Sequence, residues 1–161
     1  MTEATSPFPM PQPDADLLHR VARIAQSYQR LLGKPLVQSD DSAIGLWSAL
    51  WHAPRVIVAH GTQDDPIFFY GNRLALERFD MPWEEFTRLP SRYSAEAPQR
   101  DERTRLLERV SRDGYIDDYA GVRIAKGGAR FRIEAATVWN LVDADGAIHG
   151  QAATFAHWTE L

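Results

Sequence analysis

A chain of 161 residues, 44% hydrophobic and 25% charged, suits one domain plus a tail, since a domain of this size buries about 70% of its unfolded surface. The net charge of −4 is mixed in sign along the chain and argues against non-specific nucleic-acid binding. The absence of cysteine excludes disulfides, thiolate chemistry, cysteine-ligated zinc and iron–sulfur clusters. No apolar run nears the roughly 20 residues that span a bilayer. The N-terminus, MTEATSPFPMPQPDAD, lacks the basic start and apolar stretch of a signal peptide, so the expected location is the cytoplasm.

Pro7, Pro9, Pro11 and Pro13 fall at alternate positions. Repeated proline blocks helix, so residues 1–13 read as an extended or disordered tail. A helix follows, because Leu17, Leu18, Val21, Ile24, Ala25, Tyr28, Leu31 and Leu32 recur at helical spacing. Asp14 is placed to cap its start and Gly33 to close its end, with Pro35 beyond. Arg20, Arg23, Gln26 and Arg30 occupy the opposite face, so only one stripe is apolar. A shorter helix is predicted over Ser42–His52, with Ile44, Trp47, Leu50 and Trp51 sharing a face and Pro54 beyond its end. Its two tryptophans read as core filling ahead of a ligand platform.

Arg55–His60 and Ile67–Tyr70 read as the strands of a hairpin joined by GTQDDP. His60, Asp64 and Asp65 gather at this corner, and residues of these types bind metals or transfer protons. The spacing H-x3-D-D is not a metal-ligand pattern, however, and aspartates cap turns through their own backbone. The corner is read as a turn, with His60 alone facing inward. Asn72 then caps a helix over RLALERF, and MPWEEF forms another with Pro82 in its first turn. Ser94–Arg112 holds a longer helix that ends at Asp113–Gly114. Its acids and arginines interleave, with Asp101–Arg105 and Glu108–Arg112 spaced as i,i+4 pairs. Tyr115–Ile124, Arg130–Val142 and Ala147–Phe155 are strands separated by the turns KGGA and DADG. Along Arg130–Val142, Phe131, Ile133 and Ala135 are assigned to one face. Arg132 and Glu134 take the other, placed to pair with each other.

Two hairpin-linked strand blocks around three helices imply an α+β fold. A five-stranded antiparallel sheet carries the inserted helices on one face, and the extra N-terminal helix covers the other face or a partner subunit. The first hairpin followed by YGNRLALERFDMPWEEF, and the terminal VWNLVDADGAIHGQAATF, resemble a PAS domain. HGTQDDPIFFYGN, LPSRYSAE, GYIDDYAGVRI and GARFRIEAATVWNL resemble more closely the MEKHLA domain. This PAS-related family occurs as a free-standing bacterial protein and at the C-terminus of certain plant homeodomain–leucine zipper transcription factors. The resemblance runs from about Ala15 to Phe155 and is nearest to the free-standing bacterial form, although the string M-E-K-H-L-A is absent. The expected division is a tail over 1–13, N-terminal helices over 14–53 and the PAS-like core over 54–157.

Strand alternation puts Val56, Val58 and His60 on one face and Ile57 and Ala59 on the other. The inner face of the resembling fold lines a cavity, where a few polar groups orient a ligand among apolar ones. The candidate pocket residues are His60, Tyr70, Arg92, Tyr93, Arg123, Glu134, Trp139 and Asn140; no catalytic residue and no metal ligand is assigned. The resemblance implies a stand-alone sensory or regulatory module that binds a small molecule or a protein, rather than an enzyme. A homodimer is expected through the N-terminal helix and the outer sheet face, including Phe155 and Trp158, with no nucleic acid and no membrane. The alternatives are a purely structural interaction domain with a filled core, and a small enzyme with His60 or Glu134 as base and Arg92 or Arg123 as anion clamp.

Among cofactors, a covalent flavin–thiol adduct is excluded by the lack of cysteine. The resemblance also disfavours haem, because haem-binding PAS domains usually supply a histidine from the long helix and Ser94–Arg112 holds none. Non-covalent flavin stays open, although alternation groups Gly150, Ala152 and Thr154 and leaves Gln151 on the opposite face. No phosphate-binding glycine loop, G-x-S-x-G elbow or H-E-x-x-H motif occurs.

Overall fold

The computed structural model describes residues 7–40, 42–95 and 97–161, with the side chains at 97–100, 103 and 107 outside the described set. The first six residues of the expected tail therefore lie outside the described residues. The part that is described is not wholly detached, since Phe8 packs against the core.

Helix α1 spans Ala15–Leu32. The Asp14 carboxylate accepts from the Leu17 N–H, and Gly33 closes the helix at φ 75°, a left-handed conformation that suits glycine. Helix α2 spans Ala43–Trp51 and is capped by Ser42. Trp47, Leu50 and Trp51 are buried, as their spacing predicts, but Ile44 is 59% exposed and lies off that face. Strands β1 (Val56–His60) and β2 (Phe68–Gly71) form the hairpin, followed by α3 (Arg73–Phe79) and α4 (Trp83–Phe86). A 3₁₀ turn over Ser91–Ser94 leads into α5 (Ala97–Asp113). Neither predicted i,i+4 pair forms on α5 among the described residues; Arg112 turns to its neighbour Asp113 instead. Strands β3 (Tyr115–Ile124), β4 (Arg130–Val142), β5 (Ile148–Phe155) and β6 (His157–Glu160) complete the chain.

The sheet is antiparallel throughout, in the order β2-β1-β5-β4-β3. The sixth strand is an addition to the five expected. It pairs Phe131–Glu134 of β4, while β5 pairs Thr137–Val142 of the same strand. Between the two pairings Ala135 takes φ 50°, a left-handed kink that shifts the alternation by one residue. Ile133 and Ala136 are consequently the buried pair, and Ala135, expected beside Ile133, is exposed. Arg132 and Glu134 do share the exposed face and approach to 3.9 Å.

The sheet buries both faces. On the outer face, Val21, Ile24 and Tyr28 of α1 and Trp47 and Leu50 of α2 cover Ile57, Ala59, Trp139 and Leu141. The Trp139 indole donates to the Ile24 carbonyl at 3.2 Å and meets Tyr28 edge-on at 4.9 Å. Ser27 Oγ accepts from the Val142 N–H at 2.8 Å. Helix α1 thus covers the sheet of its own chain. Phe155 faces the opposite side, 3% exposed, with Trp158 edge-on against it. Phe155 and Trp158 thus belong to the inner core of this chain and not to the outer sheet face on which they were expected. On the inner face α3 and α4 pack Leu76, Phe79 and Phe86 against Phe68, Phe131 and Phe155, and α5 adds Leu106 and Val110.

Asn72 joins these parts and is fully buried. Its Oδ1 accepts from the N–H groups of Ala75 and Ile57, both at 3.1 Å, and its Nδ2 donates to the carbonyls of Leu50 at 3.0 Å and Arg55 at 2.8 Å. Asn72→Ala strands these groups without water and is expected to cost about 3 kcal/mol in urea unfolding. Asn72→Asp keeps the helix cap but faces two carbonyls with a carboxylate that cannot donate, so it is expected to be at least as damaging. Wild-type stability in the aspartate variant would reduce Asn72 to a simple cap.

Tyr70, Trp47 and Trp83 meet edge-on at centroid separations of 5.8 to 6.0 Å. The Tyr70 hydroxyl is buried there without a hydrogen-bond partner among the described residues, and burial pushes its pKa up. Tyr70→Phe is therefore expected to be neutral or to stabilise by about 1 kcal/mol, because it removes an unpaired polar group and keeps the ring. A comparable loss in thermal or urea unfolding would mean that the hydroxyl has a partner.

Candidate functional site

Between the inner face and the inserted helices lies a partly enclosed void of about 60 Å³. Its walls are mostly apolar, with Val58, Phe68, Ile133, Val138 and Phe155 from the sheet and Phe79 from α3. The polar groups that reach it are His60, Ser94, Tyr119, Arg123 and Gln151. The expected alternation of β1 holds here, since Val58 and His60 line the void together.

Arg123 is the unusual member, a guanidinium on a residue only 9% exposed. It donates to the Val122 carbonyl at 3.1 Å and to the Tyr119 hydroxyl at 2.9 Å. Among the described residues no carboxylate pairs with it. Tyr119 and Arg123 lie on β3 at either side of Gly121, where a Cβ would stand 2.4 Å from the Tyr119 hydroxyl. Glycine at 121 thus makes room for the tyrosine that meets the arginine.

Gln151 and Asn140 form the second polar group. Gln151 Nε2 donates to Asn140 Oδ1 at 3.0 Å, and Asn140 Nδ2 donates to the Val110 carbonyl of α5 at 3.0 Å. Gln151 Oε1 is left buried with no partner among the described residues. Its inward position corrects the expected phase of β5. The β1–β5 register sets Gln151 opposite His60 and Ala153 opposite Val58, so Gln151, Ala153 and Phe155 face the void. Gly150 fixes this close approach at φ 140°, since a Cβ there would lie 2.0 Å from the His60 carbonyl oxygen.

Of the eight residues predicted for the pocket, His60 and Arg123 line it, and Asn140 stands directly behind Gln151. His60 Nδ1 also lies 2.9 Å from the Gly61 carbonyl oxygen. The other five are elsewhere. Tyr70 and Trp139 belong to the outer core. Arg92 is held at the surface by Asp65 at 3.0 Å, with its guanidinium over the Tyr93 ring at 4.2 Å, and Tyr93 is 45% exposed. Asp65 therefore pins its turn to the segment before α5, which agrees with the reading of that corner as a turn. Glu134 projects to solvent beside Arg132. The enzyme alternative thereby loses Glu134 as base and Arg92 as clamp. Tyr119 and Ser94 were not predicted for the pocket. The pattern Tyr-x-Gly-x-Arg on a strand, which puts all three residues on one face, is the sequence signal for Tyr119; none marks Ser94.

The model of the MEKHLA domain matches residues 18–160. The homeobox-leucine zipper protein HOX9 of Oryza sativa subsp. indica is 26% identical over 148 residues, covering 91% of this chain and 17% of the relative. ATHB-14 of Arabidopsis thaliana, another homeobox-leucine zipper protein, is 26% identical over 159 residues, 96% of this chain and 18% of the relative. The chain thus spans less than a fifth of the length of these relatives. Among solved structures, the PAS domain of a protein from Colwellia psychrerythraea superposes with a TM-score of 0.61 at 13% identity, covering 71% of this chain and 92% of that one. A light-oxygen-voltage domain studied with a flavin analogue gives 0.57 at 16% identity over 75% and 86% of the respective chains. The sheet order, the inserted helices and the family match agree: the chain belongs to the MEKHLA domain family and has a PAS-like fold.

Proposed function

We propose that this chain is a sensory or regulatory module that holds a small, mainly apolar ligand between the inner sheet face and helices α3 to α5. The observation that carries the reading is the void itself. It is apolar over most of its wall and carries a few polar groups, one of which, Gln151, has a buried acceptor, Oε1, without a partner among the described residues. Ligand pockets are built in this way, whereas a core that serves only as scaffold is filled to crystal-like density. The opposite face of the same sheet is filled in that manner by Trp47, Trp139, Tyr28 and Tyr70.

A flavin does not suit the site. Its fused ring system exceeds a void of about 60 Å³, and the chain has no cysteine to form a thiol adduct. A molecule of a few carbon atoms suits it better.

The test is a thermal-shift titration with 1-hexanol on the wild-type protein and on Ala153→Leu, which places a larger side chain in the void. Wild-type Tm is expected to rise with saturation, as binding to the folded state alone requires. The variant is expected to lose that response. Equal responses from both proteins would locate binding elsewhere, and no response from the wild type would favour an interaction domain with no ligand.

A further inference from the structure

We infer that the ligand is a slender monocarboxylic acid whose carboxylate is held by Arg123 and Tyr119. This rests on the reading of the inner void as a ligand site and names the chemistry that the site selects.

The first argument is charge. A buried ion is costly unless it is paired. Arg123 stays protonated in a protein, lines the void and has no carboxylate partner among the described residues. Of the five N–H donors of a guanidinium, one is directed to the Val122 carbonyl and one to the Tyr119 hydroxyl. The rest have no acceptor among the described residues. An anionic ligand supplies both the missing charge and the missing acceptors.

The second argument is the direction of the Tyr119 bond. The Tyr119 oxygen accepts from Arg123, so its own O–H hydrogen remains to donate. Guanidinium and phenol together then offer a neighbouring pair of donors, which matches the two oxygens of one carboxylate. Gly121 preserves this pair, because any side chain there would displace the phenol.

The third argument is shape. On β4 the wall runs from Ile133 through Ala136 to Val138, on the order of 15 Å at about 3.3 Å per residue. Arg123 stands opposite Phe131, towards one end of this line, and Gln151 stands opposite Asn140, towards the other. A small volume spread along such a line admits a narrow body. The wall between the two polar ends is mostly hydrocarbon and phenyl, which rewards an apolar tail. Dicarboxylates, sugars and phosphates are disfavoured on that ground.

The experiment compares sodium hexanoate, 1-hexanol and hexylamine by isothermal titration at pH 7. The tail is held constant and the head group is changed. The wild-type protein is expected to bind hexanoate about tenfold or more tighter than hexanol, the difference that one charge-assisted hydrogen bond makes, and hexylamine most weakly. Arg123→Gln is expected to remove the preference of the acid over the alcohol. Tyr119→Phe is expected to reduce it in part and serves if the Arg123 variant does not fold. Equal binding of acid and alcohol to the wild type would overturn the carboxylate inference while the cavity reading stands. Binding of none of the three would overturn both. A preference for hexanoate that survives Arg123→Gln and Tyr119→Phe would place the anion elsewhere and overturn the assignment of these residues.

Discussion

The side chain of Asn72 is the constraint on which the arrangement rests. Helix α2 ends, strand β1 begins and helix α3 begins within reach of one amide, which bonds all three through Leu50, Arg55, Ile57 and Ala75. No other residue type serves. The position needs two acceptances and two donations from one buried, uncharged group, and asparagine and glutamine alone offer both. Of these, only asparagine is short enough to act as a helix cap at the same time. The cap sets where α3 leaves the sheet, and α3 carries Phe79 into the wall of the void. A local hydrogen-bond requirement thereby fixes a feature of the site.

The two faces of the sheet are built to different standards. Outside, large rigid rings meet edge-on and the indole of Trp139 finds the Ile24 carbonyl, so the layer is dense. Inside, the residues nearest the void on the middle strands are small, with Ala136 on β4 and Ala153 on β5 between larger neighbours. Space remains because the flanking phenyl rings stack on one another, Phe68 on Phe86 at 4.4 Å, and do not collapse into it. Polar groups with bonds to spare, on Arg123 and Gln151, border this space, while the dense layer holds the Tyr70 hydroxyl and Trp47 indole N–H among its rings, without partners among the described residues. What distinguishes the inner space is that unfilled volume and polar groups with capacity to spare meet there, whereas on the outer face the rings fill the layer.

Most of this fold was legible in the sequence because its elements are signalled locally. Asp14, Gly33, Ser42 and Asn72 mark helix ends by their own chemistry, and the observed boundaries follow them. The site was far less legible, since strand phase is a tertiary property. On β5 the set Gly150, Ala152, Thr154 is scarcely less apolar than the set Gln151, Ala153, Phe155, so composition does not choose between them. The choice is made by the close approach of Gly150 to the His60 carbonyl, which depends on a partner strand some ninety positions earlier in the chain. The kink at Ala135 is a second case, where an ordinary alanine takes a left-handed conformation because β4 must leave one partner and meet another. Tyr70 and Trp139 were drawn into the candidate pocket by residue type, whereas the face of the strand decides which core they join.

The walls of the void are not held with equal strength. Strands β1, β4 and β5 are each paired on both sides, and α3 is tied to the sheet through Asn72. Helix α5 is different. Of its described side chains, Leu106 and Val110 are the buried ones, and the remainder are exposed. Its described ties to the sheet include a small cluster with Ile116 and Val138, the hydrogen bond from Asn140 to the Val110 carbonyl and the exposed ion pair of Arg109 with Asp118 at 3.9 Å. A segment with few buried apolar contacts opens at the lowest free-energy cost, so α5 is the wall that yields first when the void must widen. The Asn140 bond joins that wall to Gln151, whose unpaired oxygen borders the void. Two adjacent amides, Asn140 and Gln151, thus tie the least buried wall of the void to its interior.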